Sequence, residues 1–315
     1  MMEILKAIVV LVVGFVLLIK GADFFVDGSS SVAKRLRVSS MIIGLTIVAM
    51  GTSLPECAVS ITASISNSNQ LAVSNVVGSN IFNLLVVGGC CALFTPLTIQ
   101  KSTLQREFPL SILCGILLLG LGMVGMVLNR IGSIILLVIF VAYLLYMIIS
   151  ANKARANTTI EADEYKILPV WQCVLFIIGG GVAIKFGGDF VVNGASVIAS
   201  SLGLSQNIIG LTVVALGTSL PELVTSIVAS RKKEVDMALG NIIGSNIFNI
   251  LLVLGLAGAI SPITLINENI IDIVILTVVS LLVFFLAYLK KKLNRQDGVL
   301  MLVIYVAYMV YICVR

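Results

Sequence analysis

Histidine is absent from this chain and charge is scarce. Asp, Glu, Lys and Arg make up 11% of the 315 residues, 59% are hydrophobic, and the mean hydropathy is +1.15. Without histidine the chain lacks the commonest ligand for zinc or copper and the usual base of a hydrolase. Neither HExxH nor CxxC occurs. The six cysteines, Cys57, Cys90, Cys91, Cys114, Cys173 and Cys313, lie in or beside apolar runs, as reduced core or lipid-facing thiols do. No basic segment interleaved with aromatics stands apart from those runs, so nucleic acid is not an expected partner. No stretch is long and polar enough for a soluble domain, and no motif marks an enzyme. A polytopic protein with the lipid bilayer as its medium remains. The first apolar run continues without a small-residue cleavage site and reads as a span, not a removed signal.

A span needs about 20 apolar residues. That ruler gives ten segments, near 4–33, 39–65, 70–95, 107–127, 131–150, 168–199, 206–230, 236–260, 269–290 and 297–314. Pro96 and Pro262 follow the third span of each half, and the most polar joint runs from Asn152 to Lys166. The expectation is an all-α membrane protein divided into 1–151, a connecting loop at 152–167, and 168–315. Joints after odd-numbered spans carry 15 Lys and Arg, against three (Lys6, Arg130, Arg315) on the other side. By the positive-inside rule the central joint is cytoplasmic and both termini are extracytoplasmic, in the cell (inner) membrane.

The chain also repeats itself. IIGLTIVAMGTSLPE at Ile42 to Glu56 returns as IIGLTVVALGTSLPE at Ile208 to Glu222, with 13 of 15 positions identical at an offset of 166. NVVGSNIFN from Asn75 returns as NIIGSNIFN from Asn241 at the same offset, and GADFFVDG at Gly21 matches GGDFVVNG at Gly187. Five spans separate the copies. An odd number reverses the direction of crossing, so the expected architecture is ten transmembrane helices as two inverted five-helix repeats. Secondary transporters often have this construction, with substrate held near the midplane.

Within the repeats, Glu56 and Glu222 lie in strongly apolar spans, where a carboxylate is costly unless it is paired or faces a cavity. Each follows a proline, Pro55 or Pro221, which removes a backbone donor and obstructs the carbonyl of Gly51 or Gly217. The helix is expected to break there and free carbonyls around Ala49 to Thr52 and Ala215 to Thr218 as neutral ligands. Asn75, Ser79 and Asn83 form one polar stripe, and Asn241, Ser245 and Asn249 repeat it. Asn80 and Asn246 lie about 100° round and are placed to bond neighbouring helices. Carboxylates, carbonyls and hydroxyls are hard donors suited to Ca²⁺ and Na⁺; Mn²⁺ or Mg²⁺ would enter a cavity of another size. A GTS run also serves as a packing notch. Asp23, Asp27 and Asp189 sit toward span ends, where capping or an ion pair with Lys20 or Lys185 competes with a transport role.

With its doubled G-T-S-x-P-E and G-S-N blocks, the chain resembles the sodium/calcium exchanger branch of the cation/calcium exchanger superfamily, in its compact prokaryotic form. The resemblance implies that Glu56 and Glu222, with the carbonyls of Thr52 and Thr218, ligate Ca²⁺. It implies further that Ser53, Ser219, the carbonyls of Ala49 and Ala215, and the hydroxyls of Ser79 and Ser245 line two Na⁺ sites. Asn83 and Asn249 would bracket the middle. At Asn249 many relatives, notably potassium-dependent ones, carry Asp; Asn looks more like the potassium-independent type.

Two carboxylates are neutralised by one Ca²⁺ or by Na⁺ ions, and both together would overcharge the site. Competition for the glutamates therefore gives antiport, with Ca²⁺ and Na⁺ as substrates and no cofactor. The same glutamates would serve a H⁺/Ca²⁺ or K⁺-dependent Na⁺/Ca²⁺ exchanger, and a carboxylate constriction would serve a passive cation channel.

Overall fold

The computed structural model describes residues 2–66, 68–157, 167–203 and 215–315, and these are overwhelmingly helical. Helix α1 spans Met2–Leu36. Helices α2 (Ser40–Thr52) and α3 (Leu54–Ile65) form a pair bent by 48°. Helix α4 is Asn69–Phe94, followed by strand β1 at Leu97–Thr98. Helix α5 (Thr103–Met123), strand β2 (Val127–Leu128) and helix α6 (Arg130–Asn157) complete the first half. The second half comprises α7 (Val170–Ser201), α8 (Ala215–Gly217), α9 (Leu220–Arg231) and α10 (Val235–Ile260). It ends with β3 (Ile263–Thr264), α11 (Asn267–Lys290), β4 (Lys292–Leu293) and α12 (Arg295–Val314).

Among the described residues eight helices are long and apolar enough to cross a membrane, and the bent α2–α3 pair makes nine. The expected span at 206–230 is described only from Ala215, and residues 208–214 of the second motif lie outside the described residues. The fifth expected span continues as helix to Asn157, seven residues beyond its expected end.

Burial divides the helices into two classes. The apolar windows of α4 and α10 are 78% and 83% buried, against 22% for α1, α6 and α12. The two Asn-Ser stripes therefore lie on the two most enclosed helices, while Leu5, Val9, Val12 and Val16 of α1 face outward as lipid-facing residues do. Proline ends both central helices. Thr95 before Pro96 (φ −143°, ψ 128°) and Ser261 before Pro262 (φ −140°, ψ 124°) are extended, as the pyrrolidine ring requires of its predecessor. The chain passes from there into β1 and β3. The pairing is crossed and antiparallel: Leu97 opposes Leu293, and Leu128 opposes Ile263.

Helices α1 and α7 pack with their backbones in near contact. A Cβ on Gly14 would sit 2.9 Å from the Gly187 carbonyl oxygen, and one on Gly187 equally 2.9 Å from that of Gly14. Gly21 and Gly180 repeat the exchange at 2.9 and 2.7 Å. Ascending positions on one helix meet descending ones on the other, so the pair is antiparallel. Small residues on this face permit the close approach that drives helix association in lipid.

Candidate functional site

The break falls where proline demands it. Helix α2 ends at Thr52, Ser53 leaves helical geometry (φ −86°, ψ 9°), and α3 restarts at Leu54 with Pro55 in its first turn. Ser219 (φ −95°, ψ 6°) and Pro221 do the same ahead of α9. One detail differs from expectation. The Ala49 carbonyl is not freed, because it accepts the Ser53 N–H at 3.0 Å; a second lone pair is its remaining ligand capacity. The side chain of Ala215 lies outside the described residues, and the residue opens α8.

The broken helices bring their glutamates together through each other's serines. Ser53 donates to Glu222 Oε1 at 2.8 Å, and Ser219 lies 3.0 Å from both Glu56 Oε1 and the Ser79 hydroxyl. Ser79 Oγ is 3.4 Å from Glu56 Oε1. The Thr52 hydroxyl reaches Asn241 Oδ1 at 3.0 Å, and Ser245 reaches the same oxygen at 3.5 Å. Thr218 is half-buried in the turn between α8 and α9. Asn83 and Asn249 sit one turn beyond Ser79 and Ser245, each opening a π-helical turn, Asn83–Val87 and Asn249–Val253. Such widened turns recur at functional sites.

Both glutamates, Asn83 and Asn249 are fully buried. Four of their oxygens have no partner among the described residues: Glu56 Oε2, Glu222 Oε2, Asn83 Oδ1 and Asn249 Oδ1. Ion pairs among the described residues lie elsewhere, as at Lys20–Asp23, Lys185–Asp189, Lys232–Asp23, Lys232–Asp27, Lys290–Asp297 and Arg315–Asp272. Two enclosed carboxylates without a basic partner carry a desolvation penalty of several kcal/mol per ion, which an enclosed cation relieves. Carboxylate and amide oxygens are hard donors of the kind such a cation takes.

Some supporting residues escape sequence reasoning. Ser60 and Ser226, one turn after each glutamate, are buried and accept from Asn75 Nδ2 (3.0 Å) and Asn241 Nδ2 (2.9 Å). Their shared 166-residue offset was the available signal. Asn80 and Asn246, expected to bond neighbouring helices, bond each other: Asn80 Nδ2 donates to the Asn246 carbonyl at 3.1 Å and Asn246 Nδ2 to the Asn80 carbonyl at 3.2 Å. The aspartates toward span ends form ion pairs. Lys232 joins Asp27 at 2.7 Å and Asp23 at 3.4 Å, and Lys185 joins Asp189 at 2.7 Å.

The family model for sodium/calcium exchanger proteins matches residues 6–149 and 172–314. The chain belongs to the sodium/calcium exchanger family. Among other members, it is 30% identical over 343 aligned positions to the sodium/calcium exchanger MaX1 of Methanosarcina acetivorans, covering 96% of this chain and 97% of that one. It is 38% identical over 269 positions to the inner membrane protein YrbG of Escherichia coli, covering 82% and 81%. A solved structure of the sodium-calcium exchanger NCX_Mj, soaked with zero Na⁺ and Ca²⁺, matches with a TM-score of 0.86 at 30% identity over 98% of this chain and 99% of that one. The same exchanger soaked with 2.5 mM Na⁺ and 0.1 mM Ca²⁺ matches at 0.84. This exchanger-family chain is thus a helical membrane antiporter in which the doubled motif is built around the two buried glutamates.

Proposed function

We propose that this protein exchanges Na⁺ for Ca²⁺ across the cell membrane by alternating access, both ions competing for one site on Glu56 and Glu222. The observation that carries this is the pair of fully buried carboxylates, each with an oxygen lacking a partner and neither with a basic neighbour among the described residues. One Ca²⁺ balances two carboxylates, and so do Na⁺ ions. Simultaneous full occupancy leaves excess positive charge in a low-dielectric interior, so the ions exclude each other.

Ca²⁺ is assigned to Glu56, Glu222 and the main-chain carbonyls of Thr52 and Thr218. Na⁺ is assigned to two flanking positions: Ser53, Ser219, Ser79 and Ser245 with the carbonyls of Ala49 and Ala215. Asn83 and Asn249 line the middle. What supports one shared site is that Ser53 serves Glu222 while Ser219 serves Glu56.

The architecture we infer is ten spans as two inverted repeats, 1–151 and 168–315, joined through 152–167 on the cytoplasmic side, with both termini extracytoplasmic. Supporting the inversion, α1 and α7 are equivalent in the sequence yet antiparallel in contact, and hydrogen bonds recur when each position is exchanged for its 166-residue counterpart. Rocking of α1 and α7 across the enclosed α4 and α10 then opens the site to each side in turn.

The test is ⁴⁵Ca²⁺ uptake by proteoliposomes loaded with Na⁺ and diluted into Na⁺-free medium. Uptake that requires the Na⁺ gradient is expected. Absence of uptake, or equal uptake driven by a pH gradient alone, would overturn the proposal.

A further inference from the structure

We propose that Asn80 and Asn246 are positioning residues that fix the amide orientation of Asn249 and Asn83, so that this wall of the ion site presents oxygen. The inference rests on the exchange function proposed above and follows from donor and acceptor identity. Asn80 Nδ2 donates to the main-chain carbonyl of Asn246, and Asn246 Nδ2 to that of Asn80, at 3.1 and 3.2 Å. A carbonyl only accepts, so a flipped amide would set oxygen against oxygen. Each clasp amide therefore has its Oδ1 turned the other way. There it meets the next amide: Asn249 Nδ2 donates to Asn80 Oδ1 at 3.1 Å, and Asn83 Nδ2 to Asn246 Oδ1 at 3.3 Å. With their nitrogens engaged, Asn249 and Asn83 point away the two oxygens that are buried without a partner among the described residues. Asn83 follows Ser79 by one turn on the stripe that touches Glu56, which places Asn83 on the same face of α4 as that contact.

A carboxamide is nearly symmetric in shape, so packing alone does not choose its rotamer. The choice matters to a cation, since a flipped Asn249 or Asn83 would present an N–H₂ donor in place of an acceptor. Because the pattern is crossed, Asn80 acts on Asn249 of the opposite half and Asn246 acts on Asn83. A purely structural clasp between α4 and α10 would carry no such pairing.

The experiment is ⁴⁵Ca²⁺ binding to the purified full chain in detergent, arranged as double-mutant cycles. Asn80→Leu is expected to raise the Ca²⁺ Kd at least about tenfold, the usual scale for losing a group that orients a ligand. In an Asn249→Leu background the same change is expected to add less than about twofold, whereas with Asn83→Leu the factors multiply as independent sites do. Asn246→Leu is expected to mirror this, coupling to Asn83 and not to Asn249. Should Asn80→Leu lose its monodisperse elution, Asn80→Ala carries the same cycle. Factors that multiply for Asn80 with Asn249, or a Kd unmoved by Asn80→Leu, would overturn the positioning role alone. No Ca²⁺ binding by the unsubstituted chain would instead remove the exchange function on which it rests.

Discussion

Glu56 and Glu222 are each offered hydrogen bonds on Oε1 by hydroxyl groups, while Oε2 of each is left to whatever enters the site. Hydroxyls orient a carboxylate without neutralising it, so the charge remains available to a cation. Glu56→Gln and Glu222→Gln remove that charge, and each is expected to cut Na⁺-dependent ⁴⁵Ca²⁺ uptake to below about a tenth of the unsubstituted rate, as loss of a buried charge partner does. Thermal unfolding in detergent is expected to move the other way. In cation-free buffer both variants melt above the parent, because an uncompensated buried charge is gone. Saturating Ca²⁺ then stabilises the parent, by about 2.7 kcal/mol at a hundredfold excess over Kd, and leaves the variants nearly unmoved. At this scale the sequence was informative about residue type and poor about orientation. The two glutamates and the Asn-Ser stripe stand out as polar residues in apolar runs. That Asn80 turns toward Asn246, or that the Ala49 carbonyl keeps a backbone donor, depends on helix rotation and on where the break begins, which periodicity places only to within a residue or two.

Elements were more legible than contacts. Apolar length, the two prolines and the charged joints located the helices and the break in α2–α3, since each rule acts over a few neighbouring residues. The four two-residue strands carry no pattern of their own, because their register is set by chain segments far away. The packing of α1 on α7 was equally hidden: glycines at 14, 21, 180 and 187 are visible, but not which backbone they meet. Their meeting is testable. Gly187→Leu places a side chain against the Gly14 carbonyl and the Leu18 backbone, contacts already at 2.7–2.9 Å for a bare Cβ. An overpacking loss of about 1–3 kcal/mol in thermal stability is expected, together with slowed uptake. Gly179→Leu, on the same helix with open space at its Cβ, is expected to leave both near the parent values.

For the whole molecule, the charge asymmetry of the joints predicts a topology that a reporter checks directly. Alkaline phosphatase fused after Arg315 is expected to be active, and a green fluorescent protein at the same place dark, as for an extracytoplasmic C-terminus; bright fluorescence there would reverse the orientation. The crossed strand pairs have a further consequence. Strand β1 finds its partner in β4, β2 finds its partner in β3, and each glutamate accepts from a serine of the other half. Neither half closes its own ladders, and each carboxylate takes its shortest hydroxyl contact from the other half. A chain cut within 158–166 and produced as two polypeptides is therefore expected to behave as an obligate heterodimer: each fragment alone degraded or aggregated, the two co-expressed fragments co-purifying and restoring Na⁺-dependent uptake. In those terms the molecule is an assembly of two subunits whose stoichiometry is guaranteed by a peptide tether.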